Sequence, residues 1–115
     1  MINLPIVTPY GDIITYSKES QELSVYSVNG ILNAKVEGVA NVTNIVLNKE
    51  GTMLATGNEQ GSVTLRSVET LDIIKNYEGV SSPVTSLTII SDDREKYVVA
   101  GYKVGNIAFF DIPIL

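Results

Sequence analysis

Two stretches of this sequence share one pattern of glycines and apolar residues: ATGNEQGSVTLRSV at residues 55–68 and VVAGYKVGNIAFFDI at residues 98–112. In each, two glycines stand four positions apart. A phosphate-binding P-loop also has spaced glycines, but it needs a lysine after the second glycine and a helix to follow. Here the lysine is missing, the spacing is one residue short and a strand-like run follows. We therefore interpret the pair as the bend of a β-hairpin, in which glycine supplies the positive φ.

The two stretches belong to a longer internal repeat. Val84-Thr85 lies 42 positions after Val42-Thr43, and the second glycine pair lies 44 positions after the first. A weaker third copy lies upstream, where Leu23 matches Val63 at an offset of 40. Each copy predicts four short strands separated by Gly, Asn and Asp turns. Residues 97–100 and 107–110 are apolar on both faces, which predicts a sheet covered on both sides.

A four-stranded unit of about 40–45 residues with both faces covered is typical of a propeller blade. The sequence thus predicts an all-β fold of two to three four-stranded antiparallel blades in an incomplete ring. It predicts one partial propeller over residues 1–115, with repeat units at approximately 1–28, 29–69 and 70–112.

Propellers typically close with about 4–8 blades, so this stack predicts an open apolar face at each end. Three explanations stay open. The chain is a piece of a longer protein, a larger assembly supplies the missing blades, or copies of the chain self-associate. We expect the first, because the pattern starts between strands and stops before a fourth strand.

The composition excludes several classes of function. The 115 residues include no cysteine and no histidine, which excludes disulfides, thiolate zinc sites and Ser-His-Asp hydrolases. The net charge of -5 argues against nucleic acid as a partner, and no apolar run is long enough for insertion into a membrane. The acidic run Asp92-Asp93-Arg94-Glu95 lacks the spacing of a calcium loop. We expect no metal, no cofactor and a cytoplasmic protein.

The second half of each copy resembles a WD repeat. Phe110-Asp111 stands at the family's Trp-Asp position, although Tyr26-Ser27 and Arg66-Ser67 replace that dipeptide in the earlier copies. The family's turn aspartate is replaced by Gln60 and Val104. The wider run over about residues 13–112 resembles the C-terminal propeller of BEACH-domain, neurobeachin-like proteins. Without the WD hydrogen-bond network, apolar packing is expected to hold the blades together.

This resemblance implies a non-catalytic scaffold that binds other proteins through its propeller loops, in vesicle or membrane trafficking. The location it implies is cytoplasmic, with attachment to membranes through a larger parent protein as an open option. By position, the family's top rim would carry the partner-binding residues Asn41, Asn58, Glu59, Gln60, Ser82, Tyr102 and Lys103. We expect Tyr102 to be exposed, because it lies in a predicted turn. Two alternatives stay open: a ligand- or metal-binding propeller, in some cases enzymatic, and a structural fragment without a function of its own.

Overall fold

The computed structural model describes residues 5–91 and 94–113. Within these ranges the chain forms eleven strands, and it forms no helix that could cross a membrane. The strands are β1 (Ile6–Val7), β2 (Ile13–Ser17), β3 (Glu22–Tyr26), β4 (Leu32–Val36), β5 (Val42–Leu47), β6 (Met53–Asn58), β7 (Ser62–Ser67), β8 (Ile73–Glu78), β9 (Val84–Ser91), β10 (Lys96–Tyr102) and β11 (Ile107–Asp111). The predicted all-β class is confirmed.

The strands form three antiparallel sheets in chain order. Sheet 1 is β1-β2-β3-β4, sheet 2 is β5-β6-β7-β8, and sheet 3 is β9-β10-β11. The predicted repeat units are staggered by about one strand against these sheets, since β4 falls in the unit 29–69 and β8 in the unit 70–112. The division into units therefore stays a description of the sequence repeat, and the sheets are the packing units.

Sheet 2 packs between sheets 1 and 3 through a separate apolar core on each of its faces. Leu54 of sheet 2 and Val68, which directly follows β7, pack with Ile14, Leu23 and Val25 of sheet 1. The opposite core joins sheet 2 to sheet 3, and it contains Ala55, Val63, Leu65, Val84, Val98 and Ala100. Large apolar side chains therefore hold the three sheets together, as the missing WD network predicts.

Polar contacts add to this packing at the positions that the WD residues would occupy. The Tyr77 hydroxyl donates to the Asp111 carbonyl at 2.7 Å, and its ring stacks on Phe110 at 4.9 Å between centroids. Arg66 replaces the tryptophan in sheet 2 and donates from Nη1 to the Leu71 carbonyl at 2.8 Å. Burial lowers the pKa of Arg66, because an apolar environment disfavours the charged form.

The two glycines of each pair have different structural roles. Gly61 and Gly105 have φ of +93° and +97° and form the hairpin bends, as predicted. Gly57 and Gly101 instead lie inside β6 and β10, so the prediction that both members supply positive φ is wrong for the first of each pair. A Cβ on Gly57 would lie 2.6 Å from Val84 Cγ1. Gly57 is therefore required by the close approach of β9 to sheet 2.

Among the described residues, sheet 3 is covered on one face only. Ala108 and Phe110 of β11 pack against sheet 2. Ile107 and Phe109, which point the other way, are 68% and 64% exposed. The described residues place no further sheet against them, so the open apolar face that three blades would leave is present at this end.

Candidate protein-interaction rim

The turns and connections of all three sheets lie at the two opposite ends of the strands. We call one end the upper rim, defined by residues 17–22, 37–41, 58–61, 79–83 and 102–106. It contains the hairpin turn between the second and third strands of each sheet, and both connections between consecutive sheets. The seven residues predicted from the sequence all lie there.

A first seam joins the upper ends of sheets 1 and 2. The backbone N–H of Val39 donates to the Gln21 carbonyl at 2.9 Å, and that of Glu59 donates to the Asn41 carbonyl at 3.0 Å. The Tyr16 hydroxyl donates to the Val39 carbonyl at 2.5 Å. The connection between the sheets is thus tied to the hairpin turn on each side of it.

A second seam joins the upper ends of sheets 2 and 3. The Tyr102 hydroxyl donates to the Gly61 carbonyl at 2.9 Å. The Lys103 N–H donates to the Pro83 carbonyl at 2.9 Å, and the Val104 N–H donates to Ser82 Oγ at 3.3 Å. The two seams make the rim one hydrogen-bonded surface across three sheets, and such anchored loops are the usual carriers of recognition.

Four of the predicted residues are exposed on this rim: Asn41, Glu59, Gln60 and Lys103. Asn58 is half-buried, and its Oδ1 accepts from the backbone N–H groups of Gln60 and Ser62, each at 3.0 Å. Asn58 therefore shapes the turn that presents Glu59 and Gln60.

The other two predicted residues are buried. Ser82 is 5% exposed and Tyr102 is 4% exposed, so the prediction of an exposed Tyr102 is wrong. Tyr102 is the last residue of β10, and its side chain points toward sheet 2. Both side chains support the rim from below and present little surface to a partner.

The corresponding turn of sheet 1 was not predicted from the sequence. Lys18 and Glu19 are exposed between β2 and β3, on the same rim. This turn carries Gln21 at φ +56° where the other two sheets have glycine. The repeated glycine was the sequence signal for the other two turns, and this turn lacks it.

The tyrosine contacts predict a loss of stability in alkaline solution. Burial raises the pKa of Tyr102 above its ordinary value of 10.0, and the Glu78 carboxylate raises it further. Burial and Asp111 raise the pKa of Tyr77 in the same way. A raised pKa in the folded state means that the stabilisation is present below about pH 10 and is lost as the pH rises through the folded-state pKa.

We expect the urea midpoint to fall between about pH 9.5 and pH 11, more steeply than in a double variant with Tyr77→Phe and Tyr102→Phe. Lysine titration is common to both proteins and cancels in the comparison. Parallel curves for the two proteins would contradict the assignment to these tyrosines.

The opposite, lower rim contains a cleft of about 730 Å³ between sheets 1 and 2, with Asp12 and Glu69 among the residues that line it. Residues 5–91 and 94–113 bring together no group of three or more Asp or Glu side chains that could hold a metal ion. Asp92 and Asp93 of the acidic run lie outside the described residues.

The sequence matches the family model described as the neurobeachin beta propeller domain over residues 2–114. It is 32% identical over 103 residues to BEACH domain-containing protein B of Arabidopsis thaliana. That match covers 90% of this chain and 4% of the relative, so the chain spans a small part of the length of that protein.

Solved structures show the same fold. BamB from Moraxella catarrhalis superposes with a TM-score of 0.76 at 21% identity, covering 95% of this chain and 32% of that one. A chain of the mitotic checkpoint complex superposes with a TM-score of 0.74 at 19% identity, covering 98% of this chain and 34% of that one. The three sheets are therefore propeller blades, and they form an unclosed part of a ring.

Proposed function

Because this chain belongs to the neurobeachin β-propeller family, we propose that it is part of a non-catalytic scaffold that binds other proteins through the upper rim. The observation that carries this proposal is the pair of hydrogen-bonded seams, from Gln21 to Asn41 and from Gly61 to Tyr102. They hold side chains from separate turns at fixed positions. Preorganised loops bind with a smaller loss of conformational entropy than free ones.

The larger setting we propose is vesicle or membrane trafficking, in the cytoplasm and at the membrane surface through a longer parent protein. The BEACH-domain relative supports a large multidomain setting, since this chain matches only 4% of its length. The rim would then be one of several contact surfaces on a large scaffold.

The non-catalytic part of the proposal is supported by the chemistry of the side chains. The sequence holds neither histidine nor cysteine, the residues most often used as bases, nucleophiles and metal ligands. The exposed side chains of the upper rim are mostly amides, carboxylates, lysines and serines, with Val104 as an exposed apolar one, and the polar groups suit hydrogen bonding and charge pairing across a wet interface.

A charge reversal on the rim tests the proposal. Glu59→Lys changes an exposed side chain at the tip of the β6–β7 turn, and Glu50→Lys makes the same change in the β5–β6 turn at the lower rim. Both variants should keep the stability of the wild type to within about 0.5 kcal/mol. Quantitative affinity capture uses the wild type and the two variants as baits. We expect the amount of captured partner protein to fall at least about fivefold with Glu59→Lys and to stay unchanged with Glu50→Lys.

Equal losses with the two variants would point to nonspecific charge effects and contradict the rim. A set of partners lost only with Glu50→Lys would move the site to the lower rim.

A further inference from the structure

Asn29 and Gly30 form the tip of the β3–β4 turn of sheet 1, on the lower rim. Asn29 is the only asparagine in the sequence that a glycine follows. Both residues are exposed. Apart from the two chain neighbours of Gly30, no atom of the described residues lies within 4 Å of the place that a Cβ on Gly30 would take. Solvent therefore reaches the peptide bond between the two residues.

Hydrogen bonds hold this turn together, but they lie at the surface. The Gly30 N–H donates to the Ser27 carbonyl at 2.9 Å, and Gly30 has φ +81°. Ser27 Oγ accepts from the Ile31 N–H at 3.2 Å. This is the pattern of a three-residue hairpin loop that ends in a left-handed glycine. Val28 and Ile31 are 73% and 61% exposed, so few buried contacts oppose local opening, and the Gly30 nitrogen is freed at intervals while the sheet stays folded.

A freed backbone nitrogen that follows an asparagine can attack the side-chain carbonyl carbon, because the two atoms close a five-membered ring. Glycine favours this step, since it has no Cβ to hinder the approach and it permits the backbone rotation that ring closure requires. The exposed residues Asn33, Asn41 and Asn106 instead precede alanine, valine and isoleucine. The chemistry therefore singles out Asn29 among the exposed asparagines.

We propose that Asn29 is a site of spontaneous deamidation, a modification that needs no enzyme. Hydroxide removes the proton of the Gly30 N–H, the nitrogen bonds to Cγ of Asn29, and the side-chain nitrogen leaves as ammonia. Water then opens the resulting succinimide at either of its two carbonyl carbons, which gives aspartate or isoaspartate. Both steps are acyl transfers, so no oxidant or reductant is required. The site lies away from the upper rim, so it is independent of the proposed scaffold function.

Isoaspartate at this position alters the contacts between neighbouring turns of the lower rim. It passes the main chain through the side-chain carbon and so lengthens the turn by one atom. Val28 lies against the β1–β2 turn, since a Cβ on Gly11 would be 3.3 Å from Val28 Cβ. Pro9 of that turn lies against Gly51 of sheet 2 in the same way. A longer β3–β4 turn therefore loosens the lower ends of sheets 1 and 2, whereas aspartate adds only a charge.

Peptide mapping by mass spectrometry tests this proposal on the folded 115-residue chain, kept in mildly alkaline buffer. Trypsin releases residues 19–35 as one peptide, which contains both Asn29 and Asn33. We expect the mass gain of an amide-to-carboxylate exchange at Asn29 at least about tenfold faster than at Asn33, and faster in proportion to the hydroxide concentration. Asn29→Gln is the matched variant and should suppress the gain, because its longer side chain would have to close a six-membered ring.

Two results would overturn the proposal. One is equal rates at Asn29 and Asn33. The other is no gain at Asn29 in the folded chain over a period in which the same chain, unfolded in guanidinium chloride, reacts there.

The stability of the separated products tests the structural consequence. The isoaspartyl form should have a lower urea midpoint than the wild type, whereas Asn29→Asp, which carries the charge without the extra backbone atom, should stay close to it. An isoaspartyl form as stable as the wild type would contradict the contact between the turns.

Discussion

Replacing Gly61 by alanine is expected to lower the free energy of unfolding by about 2–5 kcal/mol, the sum of about 1–2 for a left-handed backbone and about 1–3 for overpacking. Gly61 has φ +93°, and a Cβ built on it would collide with the backbone carbonyl oxygen of Val80. Backbone cannot move aside as a flexible side chain can. Urea denaturation followed by circular dichroism measures the loss.

Gly105→Ala is the matched control, because Gly105 occupies the same position in the next repeat. It has φ +97°, but a Cβ there would meet nothing within 4 Å. We expect it to lose only the backbone part, about 1–2 kcal/mol. Equal losses for the two variants would contradict the close approach of the Val80 carbonyl to Gly61.

Truncating Tyr102 should have the second large effect. Tyr102→Ala is expected to cost about 3–5 kcal/mol, since it removes a buried aromatic side chain. Tyr102→Phe should cost about 1 kcal/mol, because it removes only the hydrogen bond to the Gly61 carbonyl. The exposed Tyr10 serves as control, and Tyr10→Ala should stay within about 0.5 kcal/mol of the wild type.

The Tyr102 series also separates support of the rim from contact with a partner. If Tyr102→Phe lowers stability and leaves partner capture unchanged at temperatures where the variant is folded, the side chain acts from beneath the rim. A variant of full stability with lost capture would instead restore Tyr102 as a contact residue.

The repeat could be read from the sequence because it depends on local chemistry. Gly61 and Gly105 mark the bends, and alternating apolar residues mark the strands between them, so the fold class and family followed and are confirmed. The partner-binding roles, the trafficking role and the location remain predictions.

The orientation of the Tyr102 side chain was not predicted, because the predicted end of β10 came too early in the sequence. β10 was expected to stop at Ala100, which placed Tyr102 in a turn, whereas the strand continues through Tyr102. With Val98 and Ala100 facing sheet 2, alternation then points Tyr102 the same way. The role of Gly57 was also beyond the sequence, because it depends on Val84 from the next sheet.

Crosslinking mass spectrometry on captured partners tests the proposed interaction surface most directly. A lysine-reactive reagent can sample both ends of the molecule, since Lys18 and Lys103 are exposed on the upper rim and Lys49 and Lys96 are exposed toward the lower rim. We predict that crosslinks to partner proteins form mainly through Lys18 and Lys103. Crosslinks formed mainly through Lys49 and Lys96 would contradict the upper rim as the site of protein binding.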